Sequence, residues 1–271
     1  MARFLKKGGR FMGLSDLKVD REGAITIATL NRPDKLNALN KDLFDELEEL
    51  VDILETEKNT RVLIITGSGE KAFCVGADLK ERLGMNEKDI LARMDYVRRL
   101  YQKLEALPMP VIAALNGSAL GGGLELALTC DLRVAADTAM LGFPEVDLAI
   151  IPGNGGTQRF ARVVGLAKAL ELVLLAKRIT ADQAKVVGLL HEVVKPTEVM
   201  PVAMKWADKL LEAGPIALKQ AKLAIRKGLE GSLESGLKVE IEAYKGVLYS
   251  KDRVEGLKAF QEKRKPVYQG I

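Results

Sequence analysis

The sequence is short of the side chains that most often carry thiol, imidazole and metal chemistry. Its 271 residues contain one histidine, His191, and two cysteines, Cys74 and Cys130. A single histidine disfavours hydrolases that use a histidine base and zinc enzymes with imidazole ligands. The cysteines form neither a disulfide framework nor a metal-ligand pattern, so we expect no metal and a reducing compartment. The apolar neighbours of His191 predict a strand and a structural role for this histidine.

Long apolar runs and a strong charge of one sign are missing as well. No stretch approaches the roughly 20 consecutive apolar residues of a membrane helix, so we expect a protein without a membrane span. The 41 basic and 37 acidic residues give a net charge of +4, a mixture that suits a solvated surface better than a nucleic-acid-binding one. An apolar fraction of 48% is sufficient for a packed core in a chain of this length.

The pattern of apolar residues predicts an α/β core followed by helices. The first ten residues contain four basic side chains and no acidic one, and no apolar signal core follows them. We predict a disordered leader over residues 1–13, with Met12 as an alternative start, a core over residues 14–200 and a helical region over residues 201–271. From about Asn154 the pattern is almost wholly helical. The predicted core elements are the strand Ala24–Leu30, the helix Lys41–Glu55, the strand Arg61–Thr66, the helix Glu87–Leu107 and the strand Val111–Leu115.

The most informative segment is NGSALGGGLELALTC, residues 116–130. A predicted strand leads into three glycines and then into residues of good helix propensity. The amides of a first helical turn lack intrahelical partners and lie at the positive end of the helix dipole, so the Gly122 N–H can stabilise an oxyanion. Glu125 follows three residues later on the same helix face, where it can act as a base. A glutamate in a first turn also stabilises a helix without any catalytic role, and the segment alone leaves both interpretations open.

Two further segments carry candidate groups. AFCVGADL, residues 72–79, is predicted to be a loop after a strand, and its Ala77 N–H can supply a second oxyanion donor. Glycine and aspartate also occur in such loops for turn formation alone, and Cys74 is predicted to be a packed residue.

GFPEVDLAIIPGNGGTQR, residues 142–159, places Glu145 after Pro144 on a rigid loop. The segment has no lysine of a phosphate-binding loop and no dinucleotide-binding glycine pattern, which disfavours both classes of nucleotide enzyme.

Taken together, these motifs resemble the enoyl-CoA hydratase (crotonase) family across nearly the whole chain. The resemblance rests on AFCVGADLKE, IAALNGSALGGGLELAL and FPEVDLAIIPGNGGTQR, with KDRVEGLKAFQEKRK near the C-terminus. It implies an α/β fold, a crotonase-like spiral of ββα units, with a helical C-terminal region used in trimerisation. It also implies a homotrimer or a homohexamer, an acyl-CoA substrate, and no cofactor apart from the coenzyme A of the substrate itself.

The resemblance implies roles for individual residues. The amides of Ala77 and Gly122 would polarise the thioester carbonyl, and Glu125 and Glu145 would form the catalytic pair. Isomerases of the superfamily often keep only one of the two glutamates, so the pair favours hydration of a 2-enoyl-CoA, with double-bond isomerisation as the alternative. The implied substrate or coenzyme A contacts are Asn37, Ala38, Leu39, Asp78, Lys80, Arg82, Phe260 and Lys263. For the last two, ordinary amphipathic-helix character explains the residues equally well.

Several phrases are especially similar to the branch that contains the AU-rich-RNA-binding methylglutaconyl-CoA hydratase, namely ADLKER, GGGLELAL, CDLRVAA, LAIIPG and GGTQR. This similarity implies leucine breakdown, and short-chain 2-enoyl-CoA remains an equal alternative. RNA binding in that branch uses a lysine-rich helix, whereas Lys41–Lys58 carries eight acidic residues against two lysines. An acidic helix repels phosphates, so we do not expect RNA binding. The expected compartment is a bacterial cytoplasm, or the mitochondrial matrix for a eukaryotic source.

Overall fold

The computed structural model describes residues 15–271, so the predicted leader at residues 1–13 lies outside the described residues. The strands of the described chain are β1 (Leu17–Glu22), β2 (Ile25–Leu30), β3 (Val62–Gly67), β4 (Ala72–Cys74), β5 (Val111–Leu115), β6 (Ser118–Leu120), β7 (Leu132–Ala136), β8 (Met140–Gly142), β9 (Arg178–Thr180) and β10 (Glu192–Val194). Its α-helices are α1 (Lys41–Thr56), α2 (Leu79–Leu83), α3 (Glu87–Ala106), α4 (Gly122–Thr129), α5 (Gly156–Val164), α6 (Leu166–Leu174), α7 (Ala181–Val186), α8 (Val199–Leu211), α9 (Pro215–Gly228), α10 (Leu233–Leu248) and α11 (Lys251–Gln261). Short 3-10 helices cover Pro33–Lys35, Glu145–Leu148 and Pro196–Glu198.

From β3 to β8, successive strands alternate between two sheets. The larger sheet has the order β1-β2-β3-β5-β7-β10, and the smaller has the order β4-β6-β8-β9. The consecutive pairs β3/β4, β5/β6 and β7/β8 therefore each give one strand to each sheet, and a helical segment follows each pair. Only β1–β2 and β8–β9 pair antiparallel, while the other neighbours are parallel. This repeated strand-strand-helix unit confirms the predicted α/β spiral.

The composition of the central elements explains their positions. All residues of β3 (VLIITG) and β5 (VIAAL) are buried, as expected for parallel strands that are covered on both faces. The edge strand β1 (LKVDRE) instead begins with an alternation of buried and exposed residues. Helix α1 begins at the N-cap Asn40, whose side chain accepts the Leu43 N–H. Its apolar face is buried on the core through Leu43, Phe44, Leu47, Leu50, Val51 and Leu54.

Some local expectations from the sequence are wrong. The segment from Ala72, predicted as a loop, begins with β4, and the region after Asn154, predicted to be almost wholly helical, contains the strand β9. The strand predicted near His191 is present as β10. His191 precedes β10 rather than lying within it. Its backbone N–H donates to the Arg133 carbonyl (3.0 Å), and its Nδ1 accepts the Arg133 N–H (3.2 Å). The imidazole therefore fastens the chain to β7, and burial lowers the pKa of His191.

The described chain forms two units, which comprise residues 15–107 with 111–204 and residues 108–110 with 205–271. The first contains both sheets. In the second, the buried carboxylate of Asp252 accepts the backbone N–H groups of Gln269 (2.7 Å) and Gly270 (2.9 Å), which fixes the C-terminal residues on α11. No helix of the described residues is both long and apolar enough to cross a membrane.

Candidate active site

The candidate groups follow the ends of three neighbouring strands. In the smaller sheet β4, β6 and β8 are adjacent and parallel, so their carboxyl ends lie side by side. Ala77 lies three residues after β4, Gly122 lies two after β6, and Glu145 lies three after β8. Ligands commonly bind at the carboxyl ends of parallel strands, because the loops that follow them converge there. The topology thus brings together groups that the sequence alone cannot pair.

Two backbone amides meet where the loop after β4 passes the start of α4. A methyl group on Gly76 would lie 3.0 Å from the Gly122 nitrogen, and one on Gly122 would lie 3.6 Å from the Ala77 nitrogen. Leu39 N–H donates to Gly76 O (2.8 Å) and Asp78 N–H donates to Leu39 O (2.9 Å), which holds the loop in place. Within residues 15–271, neither the Ala77 nor the Gly122 amide donates to another protein group. Both donors are therefore available to a ligand oxygen.

Glu125 lies on the first turn of α4 and is only 2% exposed. Its Oε1 accepts the backbone N–H groups of Asn154 and Gly156, both at 2.8 Å. Burial raises the pKa of Glu125, and these two amides oppose the increase because they favour the charged form. A side chain at Gly156 would lie 2.8 Å from the same oxygen, so the close approach requires glycine.

An ion pair holds the loop that supports Glu125. The guanidinium of Arg159, on α5, donates to both carboxylate oxygens of Glu105 on α3, at 3.0 and 2.7 Å. Its remaining nitrogen donates to the Asn154 carbonyl at 3.1 Å. The sequence alone did not identify the residues that support Glu125, namely Glu105, Asn154, Gly156 and Arg159. The GGTQR phrase marks Arg159, but nothing local indicates a partner 54 residues away.

Glu145 opens the 3-10 helix Glu145–Leu148, where a rigid loop was predicted. Its carboxylate lies against Gly121, because a methyl group there would stand 2.8 Å from Glu145 Oε1. Within residues 15–271, the buried Oε2 has no hydrogen-bond partner. Burial raises the pKa of Glu145 to about 7, the nearby Glu125 carboxylate adds to the increase, and Arg82 opposes it. Two carboxyl groups with raised pKa values thus flank the start of α4.

A cleft opens beside the two amides. Leu39, Ala77, Gly122 and Asn154 form part of its lining. Its apolar lining residues are Phe44, Met85, Ile90, Met94 and Val97, and its charged ones are Asp78, Glu81, Arg82 and Arg93. The cleft therefore combines oxyanion donors with an apolar wall, as a binding site for a small acyl group requires.

The residues of the first implied contact motif, Asn37 to Leu39, have different environments. Asn37 is fully buried, and its amide donates to the carbonyls of Ser68 (3.0 Å) and Ala72 (2.9 Å). Ala38 is also buried, and its carbonyl accepts a hydrogen bond from Arg32. Only Leu39 lines the cleft. The Asn37 side chain therefore forms hydrogen bonds inside the protein that connect loops, and it does not line the cleft.

The charged candidates also differ in their partners. Asp78 caps α2 and pairs with Arg32 at 3.1 Å. Burial favours a higher pKa for Asp78, but the hydrogen bond from Arg32 and the amides of α2 hold its pKa below the usual value. Lys80 is exposed, and Arg82 lines the cleft. Phe260 and Lys263 belong to the second unit, where Phe260 is exposed at the end of α11 and Lys263 follows with a φ of 54°.

Thiol and metal chemistry have little support at this site. Both cysteines are buried and neither forms a disulfide, and burial raises the pKa of Cys74 to about 12, so that its thiol stays protonated. Among residues 15–271, no group of three or more His, Cys, Asp or Glu side chains is arranged to hold a metal ion. The chemistry available at the site is therefore that of two carboxyl groups and two amides.

Known proteins share this architecture. A family model described as enoyl-CoA hydratase/isomerase matches residues 20–270. The short-chain-enoyl-CoA hydratase of Clostridium acetobutylicum is 40% identical over 254 residues, which cover 94% of this chain and 97% of that protein. The mitochondrial methylglutaconyl-CoA hydratase of Mus musculus is 43% identical over 250 residues, or 91% of this chain and 80% of that protein. The crystal structure of an enoyl-CoA hydratase from Bacillus anthracis superposes with a TM-score of 0.92 at 47% identity, covering 95% of this chain and 100% of that one.

Proposed function

Because the chain belongs to the enoyl-CoA hydratase/isomerase family, we propose that it adds water across the double bond of a 2-enoyl-CoA, with Glu125 and Glu145 as its acid-base pair. The observation that carries the proposal is the placement of two carboxyl groups beside two unused backbone amides. Hydration needs all four groups at once, since a base, an acid and an oxyanion site act on three adjacent carbons.

The thioester carbonyl would bind between the amides of Ala77 and Gly122. Addition of hydroxide at Cβ moves the double-bond electrons onto the thioester oxygen, which becomes an enolate. Two amide donors beside the apolar wall of the cleft stabilise this charge as it develops, and removal of one such donor typically costs about 10²–10³-fold in rate. The dipole of α4 adds to the effect, because Gly122 is its first residue.

The environments of the two carboxyl groups suggest their roles. Glu125 Oε1 accepts two amide hydrogen bonds, which favour the carboxylate, so Glu125 is the better base for water. Glu145 has an Oε2 without a partner among residues 15–271 and a pKa of about 7, so a large fraction of it is protonated at neutral pH, and it is the better acid. Different environments that separate the pKa values of two neighbouring carboxyl groups are a common means of dividing acid and base roles.

With Glu125 as the base and Glu145 as the acid, the protons of the hydration reaction balance. Glu125 takes one proton from water, the remaining hydroxide forms the bond to Cβ, and Glu145 donates its proton to Cα as the enolate collapses. The product is a 3-hydroxyacyl thioester. Glu125 is then protonated and Glu145 is charged, and proton exchange with solvent restores the starting state.

The first experiment follows the loss of enoyl-thioester absorbance with crotonyl-CoA and 3-methylglutaconyl-CoA. We expect the wild-type protein to hydrate at least one of them. Glu125→Gln and Glu145→Gln should each lower kcat by about 10²–10⁴-fold, because general acid-base assistance typically supplies that factor. Glu240→Gln, at an exposed position of α10, is the matched control. Near-wild-type activity in either catalytic variant would contradict the assignment.

Double-bond isomerisation is the alternative within the same chemistry, since an enolate and two carboxyl groups also serve proton transfer between carbons. Incubation with a 3-enoyl-CoA separates the two reactions. Formation of the 2-enoyl product without hydration would favour the isomerase. We expect hydration, because the site retains both glutamates.

RNA binding is the alternative from another class of function. Acidic side chains of α1 are held in local pairs, with Lys103 between Glu48 and Asp52 and with Asp45 accepting from Tyr96. Even with these pairs, α1 keeps an excess of acidic side chains, which repel RNA phosphates. A filter-binding titration with AU-rich RNA should therefore show no tight, salt-sensitive capture.

A further inference from the structure

The charged residues of the cleft are not equally satisfied. Asp78 pairs with Arg32 at 3.1 Å, and Arg93 pairs with Glu81 at 2.8 Å. Arg82 is only partly exposed, and within residues 15–271 its guanidinium has no hydrogen bond or ion pair. A partly desolvated cation in a cleft whose other charged side chains already have partners is best satisfied by an anion supplied from outside the protein.

The position of Arg82 relates this anion to the reacting carbons. Arg82 lines the same cleft as Ala77 and Gly122, the donors for the thioester oxygen. Its charge also acts on the Glu145 carboxyl, opposing the effect of burial there. A thioester whose oxygen lies between these amides would place its acyl group in the same cleft, beside the apolar wall and the Arg82 guanidinium.

We propose that the Arg82 guanidinium binds a carboxylate on the acyl chain, and that the preferred substrate is a short 2-enoyl thioester with such a distal carboxylate. This inference rests on the proposed hydratase function and extends it to the substrate. A planar guanidinium can hold a carboxylate through two parallel hydrogen bonds, so Arg82 would fix the acyl end while the amides fix the thioester end.

Phosphates of coenzyme A are the other source of an anion for Arg82. The pantetheine arm separates those phosphates from the thioester sulfur by a long chain, whereas a carboxylate on a short acyl group lies only a few bonds beyond Cβ. Arg82 lines the cleft together with the Ala77 and Gly122 amides, which mark the reacting end of the site. The exposed Lys80, outside the cleft lining, is the better candidate for the phosphate end.

The test compares kcat/KM for 3-methylglutaconyl-CoA with kcat/KM for crotonyl-CoA in wild type, Arg82→Met and Arg82→Lys. Arg82→Met should lower the ratio of the two values by about 10–100-fold, the range expected for a lost charge-assisted hydrogen bond. Arg82→Lys should give an intermediate ratio, because the charge remains and the two-pronged geometry is lost. Arg99→Met is the matched control, since Arg99 is exposed on α3 and lies outside the cleft lining.

Measurements with pantetheine thioesters of the same acids, which lack the nucleotide phosphates, distinguish the two anions. Carboxylate binding predicts that Arg82→Met lowers the ratio with these substrates as well. An equal loss on both CoA substrates that disappears with the pantetheine thioesters, together with weaker inhibition by free coenzyme A, would assign Arg82 to a phosphate and overturn the proposal. An unchanged ratio would overturn it too. Failure of the wild-type protein to hydrate any of the substrates would instead reject the hydratase function itself.

Discussion

The environment of the Glu145 carboxyl has a cost for folding as well as a use in catalysis. Its pKa is about 7 in the folded protein, against 4.5 for an ordinary glutamate. A raised folded-state pKa means that folding takes up a proton between these values. The contribution of Glu145 to the free energy of unfolding is therefore fully present below pH 4.5 and is lost as the pH rises through about 7.

Glu145→Gln should consequently stabilise the protein at pH 8 while it abolishes most activity. After allowance for the partial solvent exposure of the carboxyl, we expect a gain of about 1–2 kcal/mol in the free energy of unfolding at pH 8, shrinking towards zero near pH 5. Urea unfolding at both pH values measures the difference. Glu240→Gln, on the exposed surface of α10, serves as the control. A Glu145→Gln variant that is less stable than wild type at pH 8 would contradict the environment described for this carboxyl.

At the scale of elements, the turn between β6 and α4 sets the geometry of the site. Gly121 has a φ of 51°, and a methyl group there would collide with Glu145 Oε1. Gly121→Ala should therefore combine backbone strain of about 1–3 kcal/mol with displacement of the catalytic carboxyl, and we expect kcat to fall by at least about 10²-fold.

Gly23→Ala is a control that introduces the backbone strain without displacing the Glu145 carboxyl. Gly23 has a similar φ of 58°, and nothing lies within 4 Å of the added methyl group. It should lower the melting temperature comparably and leave kcat near the wild-type value. Equal kcat values for Gly121→Ala and wild type would show that Glu145 does not need its present position.

The same elements show what sequence can and cannot predict. The glycine run and helix propensity of residues 116–130 are local, so Gly122 and Glu125 could be placed on one helix from sequence. The pairing of Glu105 with Arg159 spans 54 residues, and the amides that hold Glu125 lie 29 and 31 residues away from it. The strands β4, β9 and β10 have three residues each, too few for a periodic pattern, and non-local pairing defines them.

On the scale of the whole molecule, chain topology places the two glutamates of the proposed acid-base pair near the same end of the smaller sheet. Each turn of the spiral adds one strand to the smaller sheet, so β6 and β8 become neighbours although 19 residues lie between Leu120, the end of β6, and Met140, the start of β8. Glu125 follows β6 and Glu145 follows β8, so the neighbouring strands bring the two glutamates close together. Sequence alone could identify the pair only through family resemblance, since no local pattern encodes which strands become neighbours.

The helical unit has an apolar surface that bears on assembly. One face of α10 presents Leu233, Leu237, Ile241 and Tyr244 at helical spacing, and all four are exposed. Contiguous exposed apolar patches of this kind usually mark an interface. The family resemblance implies a trimer or a dimer of trimers, and we predict that this surface forms part of its interface, with a mass in solution three or six times 29.6 kDa.

Ile241→Lys tests whether this face of α10 forms the interface. A charge in the middle of the apolar stripe should dissociate the oligomer, because burial of an unpaired ammonium group costs several kcal/mol, on the order of the energy of a small interface. Light scattering coupled to size exclusion measures the mass, and circular dichroism checks that the subunit remains folded. Glu240→Lys introduces the same side chain at the neighbouring exposed position and should keep the oligomer intact. A monomeric wild-type protein would refute the predicted oligomer, and an Ile241→Lys variant of unchanged mass would place the interface elsewhere.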